Sequence, residues 1–320
     1  MFQHILVPLD GSSRAEQALP LATHIARRTG GTISLLRVIP PEVGDSTYAY
    51  SRAGVLADEV RTTLTQEAHD YLEHIAHSER LAGIGVRTRV TTDSPVQEIL
   101  SYAQSEKIDL IVLCRHGFTG LKRWVMGSVA QKVVRHSPVP VLALSEKGLE
   151  APLVHPEKAR PIRALVALDG SPLAEAILPP AAQLVTAVSP AETPGELHMI
   201  RILKPPSETE ERRYLAYDIN IRQFYRSEAE QYLRIVKEKL TKDLPADVHV
   251  QVTSSMKEEA DIATALIEVA ESGYDVMALA THGRGGLKRA MIGSIAERIL
   301  ERTTMPLLIM RPPEPASPVF

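Results

Sequence analysis

The sequence predicts an α/β protein made of two tandem, doubly wound domains, and three observations carry that prediction. First, Leu6-Val7-Pro8-Leu9-Asp10-Gly11-Ser12 returns as Leu165-Val166-Ala167-Leu168-Asp169-Gly170-Ser171, with only Pro8 and Ala167 differing. Second, His116-Gly117-Phe118-Thr119-Gly120-Leu121-Lys122-Arg123-Trp124-Val125-Met126-Gly127-Ser128 returns as His282-Gly283-Arg284-Gly285-Gly286-Leu287-Lys288-Arg289-Ala290-Met291-Ile292-Gly293-Ser294, with eight of thirteen positions identical. Third, short apolar runs alternate with amphipathic stretches through both halves, the pattern of a parallel sheet with helices on both faces. The repeat period is about 160 residues, so this is domain duplication and not a solenoid.

In the first half, His4–Leu9 is an apolar run ending in Asp-Gly, a buried-strand pattern. Ser13-Arg14-Ala15-Glu16 reads as a capping box, and Ala18, Leu21, Ala22 and Ile25 follow at helical spacing until Gly30-Gly31 stops the helix. Thr32–Ile39 is a second strand. A long loop from Pro40 to Gly54 leads into a helix over Val55–Glu79. Val86–Thr91 alternates apolar with polar, as a half-exposed strand near an edge does. Ser94-Pro95 opens a helix reaching about Glu106, with Pro at the first helical position. Strand Leu110–Cys114, helix Gly127–Arg135 and strand Val139–Leu144 complete the half.

The second half repeats the order. Strands are expected at Arg163–Leu168, Glu196–Leu203, His249–Thr253, Val276–Ala280 and Leu307–Met310, and helices at Pro172–Val188, Glu208–Thr241, Ala260–Ser272 and Gly293–Arg302. Each half is thus expected to be a Rossmann-like domain: five parallel or mostly parallel strands with about four helices. The expected division is 1–146, a polar, Pro-bearing linker at 147–161, 162–311, and a tail at 312–320.

Composition narrows the function classes. The 320 residues suit about two domains, and 44% hydrophobic content suffices for real cores. A net charge of −3 gives no electrostatic case for a nucleic-acid or anionic-membrane partner. The single cysteine, Cys114, excludes an intrachain disulfide and a thiolate-rich metal site. The start of the chain has no basic segment before its short apolar run, and other apolar runs fall far below a membrane span, so a cytoplasmic protein is expected.

In such sheets ligands bind beyond the carboxyl ends of the strands, where strand order reverses. Asp10 and Asp169 follow strand one, and the His-Gly loops follow strand four, so both blocks belong to one rim. Gly117 and Gly283 suit a sharp turn and close approach of a phosphate. Nine residues on, Gly127-Ser128 and Gly293-Ser294 open a helix whose free N–H groups and positive dipole end suit an anion. The alternative is a tight turn followed by an ordinary helix start. Asp10 and Asp169 are suited to accept hydrogen bonds from ribose hydroxyls, or are simply the turn before a helix.

At these residues the chain resembles the universal stress protein family in its tandem two-domain form. The family's ATP-binding members carry Gly-x2-Gly-x9-Gly-(Ser/Thr) after strand four and a Val-Pro-x-Asp-Gly-Ser-like start. Here Gly117-x9-Gly127-Ser128 and Gly283-x9-Gly293-Ser294 stand intact, while Cys114 and Ala280 replace the first glycine. The resemblance implies ATP as ligand, with ADP, AMP or cyclic AMP as variants and Mg²⁺ as an accompanying ion. It implies that Pro8, Ala167, Asp10 and Asp169 line the ribose and that the backbones of Val38 and Ile202 meet the adenine. The loops from His116 to Ser128 and from His282 to Ser294 would take the phosphates, with Val129 and Ile295 at the helix starts and Cys114 and Ala280 at the strand ends also lining the nucleotide, where the bulkier Cys114 would crowd it. It further implies intrachain pairing of the two domains through their fifth strands, and it is compatible with a homodimer and an unidentified protein partner. A non-glycine at the first motif position costs about 1 kcal/mol or more if that position needs positive φ, and nothing if it is the last strand residue.

No paired acid, base and nucleophile accompanies these motifs, so a regulatory nucleotide-binding role is expected ahead of a slow ATP hydrolase or adenylyl-transfer enzyme, or a nucleotide-free interaction module. His69, His74 and His77 share one helix without a completing ligand set, and no metal site is expected there. Lys122-Arg123 and Lys288-Arg289 either screen phosphate or face solvent. Tyr48, Tyr50, Tyr214 and Tyr217 lie in or near the loops after strand two, which are either lids over adenine or merely flexible.

Overall fold

The apolar runs pair as parallel strands in both halves, in a computed structural model that describes residues 1–41, 53–115, 127–145, 153, 160–281 and 293–312. Two compact units, Met1–Leu149 and Glu150–Phe320, divide the chain.

In the first unit, β1 (His4–Pro8), β2 (Thr32–Ile39), β3 (Gly85–Thr92), β4 (Leu110–Cys114) and β5 (Val141–Leu144) form a parallel sheet in the order β3-β2-β1-β4-β5. In the second, β6 (Arg163–Ala167), β7 (Gly195–Leu203), β8 (Val250–Glu258), β9 (Val276–Ala280) and β10 (Leu307–Met310) repeat it as β8-β7-β6-β9-β10. Strand one of each unit pairs with strand four, which makes that junction the switch point. The inner strands β1 and β4 carry apolar runs because helices cover both faces, and Leu110 to Val112 are fully buried. In β3 burial alternates, as its alternating sequence predicts.

Three expected helices are broken, each for a local reason. The stretch after β1 is α1 (Ser13–Glu16) and α2 (Leu19–Thr29), and its counterpart is α6 (Pro172–Glu175) and α7 (Leu178–Val188). Pro20 and the pair Pro179-Pro180 each start a new helix because proline has no N–H to continue the old one. The expected capping box at Ser13 is not formed. Ser12 is the cap, accepting from the Ala15 N–H at 3.2 Å, and Glu16 instead accepts from the Tyr71 hydroxyl at 3.0 Å. The expected helix Glu208–Thr241 is α8 (Glu208–Leu215) and α9 (Ile221–Asp243), separated at Asp218 with φ 58°. Each has its own cap: a full capping box between Ser207 and Glu210, and Asn220 accepting from the Gln223 N–H.

Other bounds shift modestly. α3 spans Ala53–Ala76, followed by a 3₁₀ turn at Glu79–Leu81. α4 is Pro95–Ser105, α5 Ser128–His136, α10 Ile262–Glu271 and α11 Ser294–Arg302. β5 starts at Val141, after Pro140, and β8 runs to Glu258 instead of stopping at Thr253, because β7 pairs with it along its whole length. Among the described residues no helix is long and apolar enough to cross a membrane.

Candidate functional site at the switch-point rim

At the carboxyl end of β1 the chain makes a compact turn. The Leu9 N–H still bonds the Leu36 carbonyl at 2.8 Å. Asp10 then turns its carboxylate into its own loop: Oδ1 accepts from the Ser12 N–H at 3.0 Å and from the Ser12 hydroxyl at 2.6 Å. The second unit does the same. Asp169 Oδ1 accepts from the Ser171 N–H at 2.9 Å and the Ser171 hydroxyl at 2.6 Å, and Ser171 caps α6 through the Ala174 N–H. Gly11 and Gly170 carry φ of +85° and +86°, a conformation only glycine adopts without strain.

A cluster that sequence reading did not single out lies against the first turn and has a counterpart in the second unit. The Arg37 guanidinium lies over Gly11, where an added Cβ would meet it at 3.0 Å, and also over the Tyr71 ring at 5.0 Å. In the second unit Arg201 lies over the Tyr232 ring at 5.2 Å and pairs with Glu228 at 2.7 Å. Burial, then the charge of Glu16, pushes the Tyr71 phenol above its ordinary value, and burial followed by Glu175 does the same for Tyr232. The signal was available: Arg37 is the charged residue of the otherwise apolar β2, and Arg201 stands at the matching position of β7.

The other wall of the rim comes from strand four. Cys114 and Ala280 are the last residues of β4 and β9, and neither has positive φ, so replacing glycine there brings no left-handed strain. Beyond the loops, the Gly127 N–H donates to the Arg115 carbonyl at 2.6 Å and the Gly293 N–H to the Thr281 carbonyl at 2.8 Å. These two amides, expected to be available to a ligand, instead fasten the helix start to the strand end. The amides behind them, of Ser128 and Val129 and of Ser294 and Ile295, open α5 and α11, whose caps make no side-chain hydrogen bond. Ser128, Val129 and Ser294 are exposed. A Cβ on Gly293 would stand 3.3 Å from the Thr281 carbonyl oxygen, so the small residue keeps this approach close.

Pro8, Asp10, Val38 and Cys114, and likewise Ala167, Asp169, Ile202 and Ala280, therefore end neighbouring parallel strands on one rim of their unit. His116, Gly117, His282, Gly283, the basic pairs Lys122-Arg123 and Lys288-Arg289, and Tyr48 and Tyr50 lie outside the described residues, as does nearly all of the expected linker. Tyr214 and Tyr217 are exposed in and after α8. One difference between the rims was not foreseen: Arg115, almost wholly buried and with its pKa pushed down to about 10 by that burial, stands where the second unit has Thr281. His69 and His74 on α3 and His77 just beyond it all face solvent, and no group of three potential ligands is assembled among the described residues.

A duplicated parallel α/β unit with a turn and an uncapped helix start meeting at the switch point defines a protein of the doubly wound, Rossmann-like class. The universal stress protein family matches residues 1–145 and 163–311, and the chain belongs to that family. Universal stress protein YxiE of Bacillus subtilis (strain 168) is 32% identical over 148 residues, covering 98% of its own length and 44% of this chain. Universal stress protein MJ0577 of Methanocaldococcus jannaschii is 30% identical over 158 residues, covering 98% of its length and 46% of this chain. Each of these relatives corresponds to about half of the chain. A universal stress protein structure from Archaeoglobus fulgidus DSM 4304 shares the fold over 96% of this chain and 98% of its own, with a TM-score of 0.65 at 20% identity. Family membership places the chain among stress-response proteins.

Proposed function

We propose that the chain is a regulatory protein that binds an adenine nucleotide, ATP above all, at the switch-point rim of each unit. The observation that carries this reading is the duplicated helix start. In α5 and α11 a glycine cap supplies no side chain, so the first amides and the positive end of the helix remain for an anion. The phosphates would rest on the amides of Ser128 and Val129 in one unit and of Ser294 and Ile295 in the other, with both serine hydroxyls as added donors. His116, Gly117, His282 and Gly283 would complete the cradle. Asp10 and Asp169, each accepting from its serine through Oδ1, would accept from ribose hydroxyls. Val38 and Ile202 would offer backbone groups to the adenine. A bound nucleotide acts by favouring the conformation that holds it best.

Binding is favoured over hydrolysis because Asp10 and Asp169, the repeated carboxylates of this rim, are turned into their own loops by Ser12 and Ser171. Isothermal titration of the whole chain with ATP, ADP, AMP and cyclic AMP, with and without Mg²⁺, tests the proposal. The expected outcome is saturable binding at two sites per chain. Absence of both heat and thermal shift with all four would overturn it. Steady phosphate release that Asp169→Ala abolishes while binding persists would turn the reading towards a hydrolase.

A further inference from the structure

We propose that Ser255, on the outer strand of the second unit's sheet, is a nucleophile with His198 as its general base, forming an acyl-transfer site for small activated carboxylic esters. The site is separate from the nucleotide rim and does not depend on it. His198 on β7 bonds through Nε2 to the Ser255 hydroxyl at 2.8 Å and through Nδ1 to the Thr253 hydroxyl at 2.7 Å. The Thr253 hydroxyl donates to Glu196 Oε1 at 2.8 Å, and Arg163 Nε donates to Glu196 Oε2 at 2.7 Å.

Counting protons fixes the direction of this chain. Thr253 has one hydroxyl proton, and it goes to Glu196. Its oxygen can therefore only accept from His198, so Nδ1 carries the imidazole proton. Nε2 of the neutral ring is then a bare lone pair, and the Ser255 hydroxyl must donate to it. Nucleophile, base and orienting group stand in the sequence that acyl transfer requires. Charge supports the assignment. Burial raises the Glu196 carboxyl, but hydrogen bonds from Arg163 and Thr253 outweigh it and hold the group ionised below the usual carboxylate range. Burial lowers the His198 imidazole against the pull of Glu196, and Arg163 adds to the lowering, so the ring is neutral at pH 7. Tyr274 flanks the ring at 5.7 Å between centroids. His198 is mostly covered, its side chain 14% exposed, whereas Ser255 is open to solvent on the outermost strand.

In the reaction, Ser255 Oγ bonds to the ester carbonyl carbon and its proton passes to His198 Nε2. The carbon–alkoxide bond breaks, and the leaving alkoxide takes that proton as an alcohol. Water then adds to the acyl-serine, giving its proton to Nε2. The acid departs and Ser255 regains the proton. The sum is ester plus water to acid plus alcohol. Thr253 and Glu196 are positioning residues.

The test is covalent labelling of the whole chain with a fluorophosphonate, read by intact mass and peptide mapping, beside hydrolysis of p-nitrophenyl acetate. A single adduct on Ser255 is expected. Ser255→Ala should abolish it with thermal unfolding unchanged. His198→Gln should slow it about 100-fold, the usual scale of general-base assistance. In the unaltered chain the rate should rise with pH through an ionisation below the ordinary imidazole value and then level off. Thr253→Val should move that midpoint. No adduct on Ser255 in the folded chain, a rate indifferent to His198→Gln, or a flat pH profile would each overturn the proposal. Nucleotide binding should be unaffected by all of these substitutions.

Discussion

The two units are alike at one end of their strands and unlike at the other. At the carboxyl end both build the Asp-Gly-Ser turn, an Arg-over-Tyr pair and the uncapped helix start, with hydrogen bonds matching to within about 0.2 Å. At the amino end the side chains diverge. Register places Glu196, His198 and Thr253 where the first unit has Thr32, Ser34 and Arg87. Only the second unit therefore has the ordered chain from Arg163 to Ser255. What the units share acts mainly through backbone, in a left-handed glycine, capped and uncapped helix starts, and amides tied to carbonyls. What differs is side-chain chemistry on a sheet face, which changes without moving the backbone.

The largest expected effect probes an amino-end device they have in common. Asp275 accepts the Arg163 N–H at 2.8 Å and pairs with Arg160, and its side chain is 2% exposed. Asp109 accepts the Gln3 N–H at 2.7 Å and the His4 N–H at 3.2 Å in a more open setting. Asp275→Ala is expected to cost about 3 kcal/mol, since it strands a buried amide and an arginine partner, and Asp109→Ala about 1–2 kcal/mol. Chemical denaturation of the two variants measures both. Equal costs would break the contrast between the two ends.

Next in size is the loss of one nucleotide site without the other. Gly293→Val sets a branched side chain against the Thr281 carbonyl and shifts the start of α11. Affinity in the second unit should fall at least tenfold, about 1.4 kcal/mol, and titration should then count one site per chain instead of two. Smaller again is Arg201→Met. Arg201 is buried with its Nη1 lacking a hydrogen-bond partner among the described residues, while Glu228 is 42% exposed and can return to water, so the change should stay within about 1 kcal/mol of neutral.

Much of this was legible in the sequence, and the reasons are physical. Thr32–Ile39, Leu110–Cys114, Val276–Ala280 and Leu307–Met310 are strands with the bounds their apolar runs predict. A continuous buried run leaves no choice of face, and a flanking polar or small residue marks its end. Helix continuity was misread at Pro20, Pro179 and Asp218 because apolar periodicity carries on across a break in the helix. The rim was legible as a repeated motif, but the use of the Gly127 and Gly293 amides was not, since backbone pairing across a loop leaves no compositional mark. The Ser255 chain was hidden for another reason. Glu196 and His198 two apart, and Thr253 and Ser255 two apart, show a polar stripe on each strand, yet only the β7–β8 register brings the stripes together. Ending the strand at Thr253 put Ser255 outside it.

The smallest expected effect separates the units by acid. Glu196 has a folded pKa below its ordinary value, so its contribution is present above the unfolded carboxylate pKa and is lost as pH falls through the folded one. His198, also lowered, adds a loss of the same sign, because its neutral form is favoured by the fold. Asp109 runs the other way. Burial, outweighing the Gln3 and His4 amides, raises its pKa, so its contribution is complete below the unfolded value and disappears as pH rises through the folded one. Acidification from about pH 6 to 3 should then weaken the second unit and relieve the first. Thermal unfolding of the full chain across that range should show Glu196→Gln reducing the acid loss and Asp109→Asn deepening it. If both substitutions move the acid limb in the same direction, the opposite electrostatic signs assigned to the two amino-end clusters are wrong.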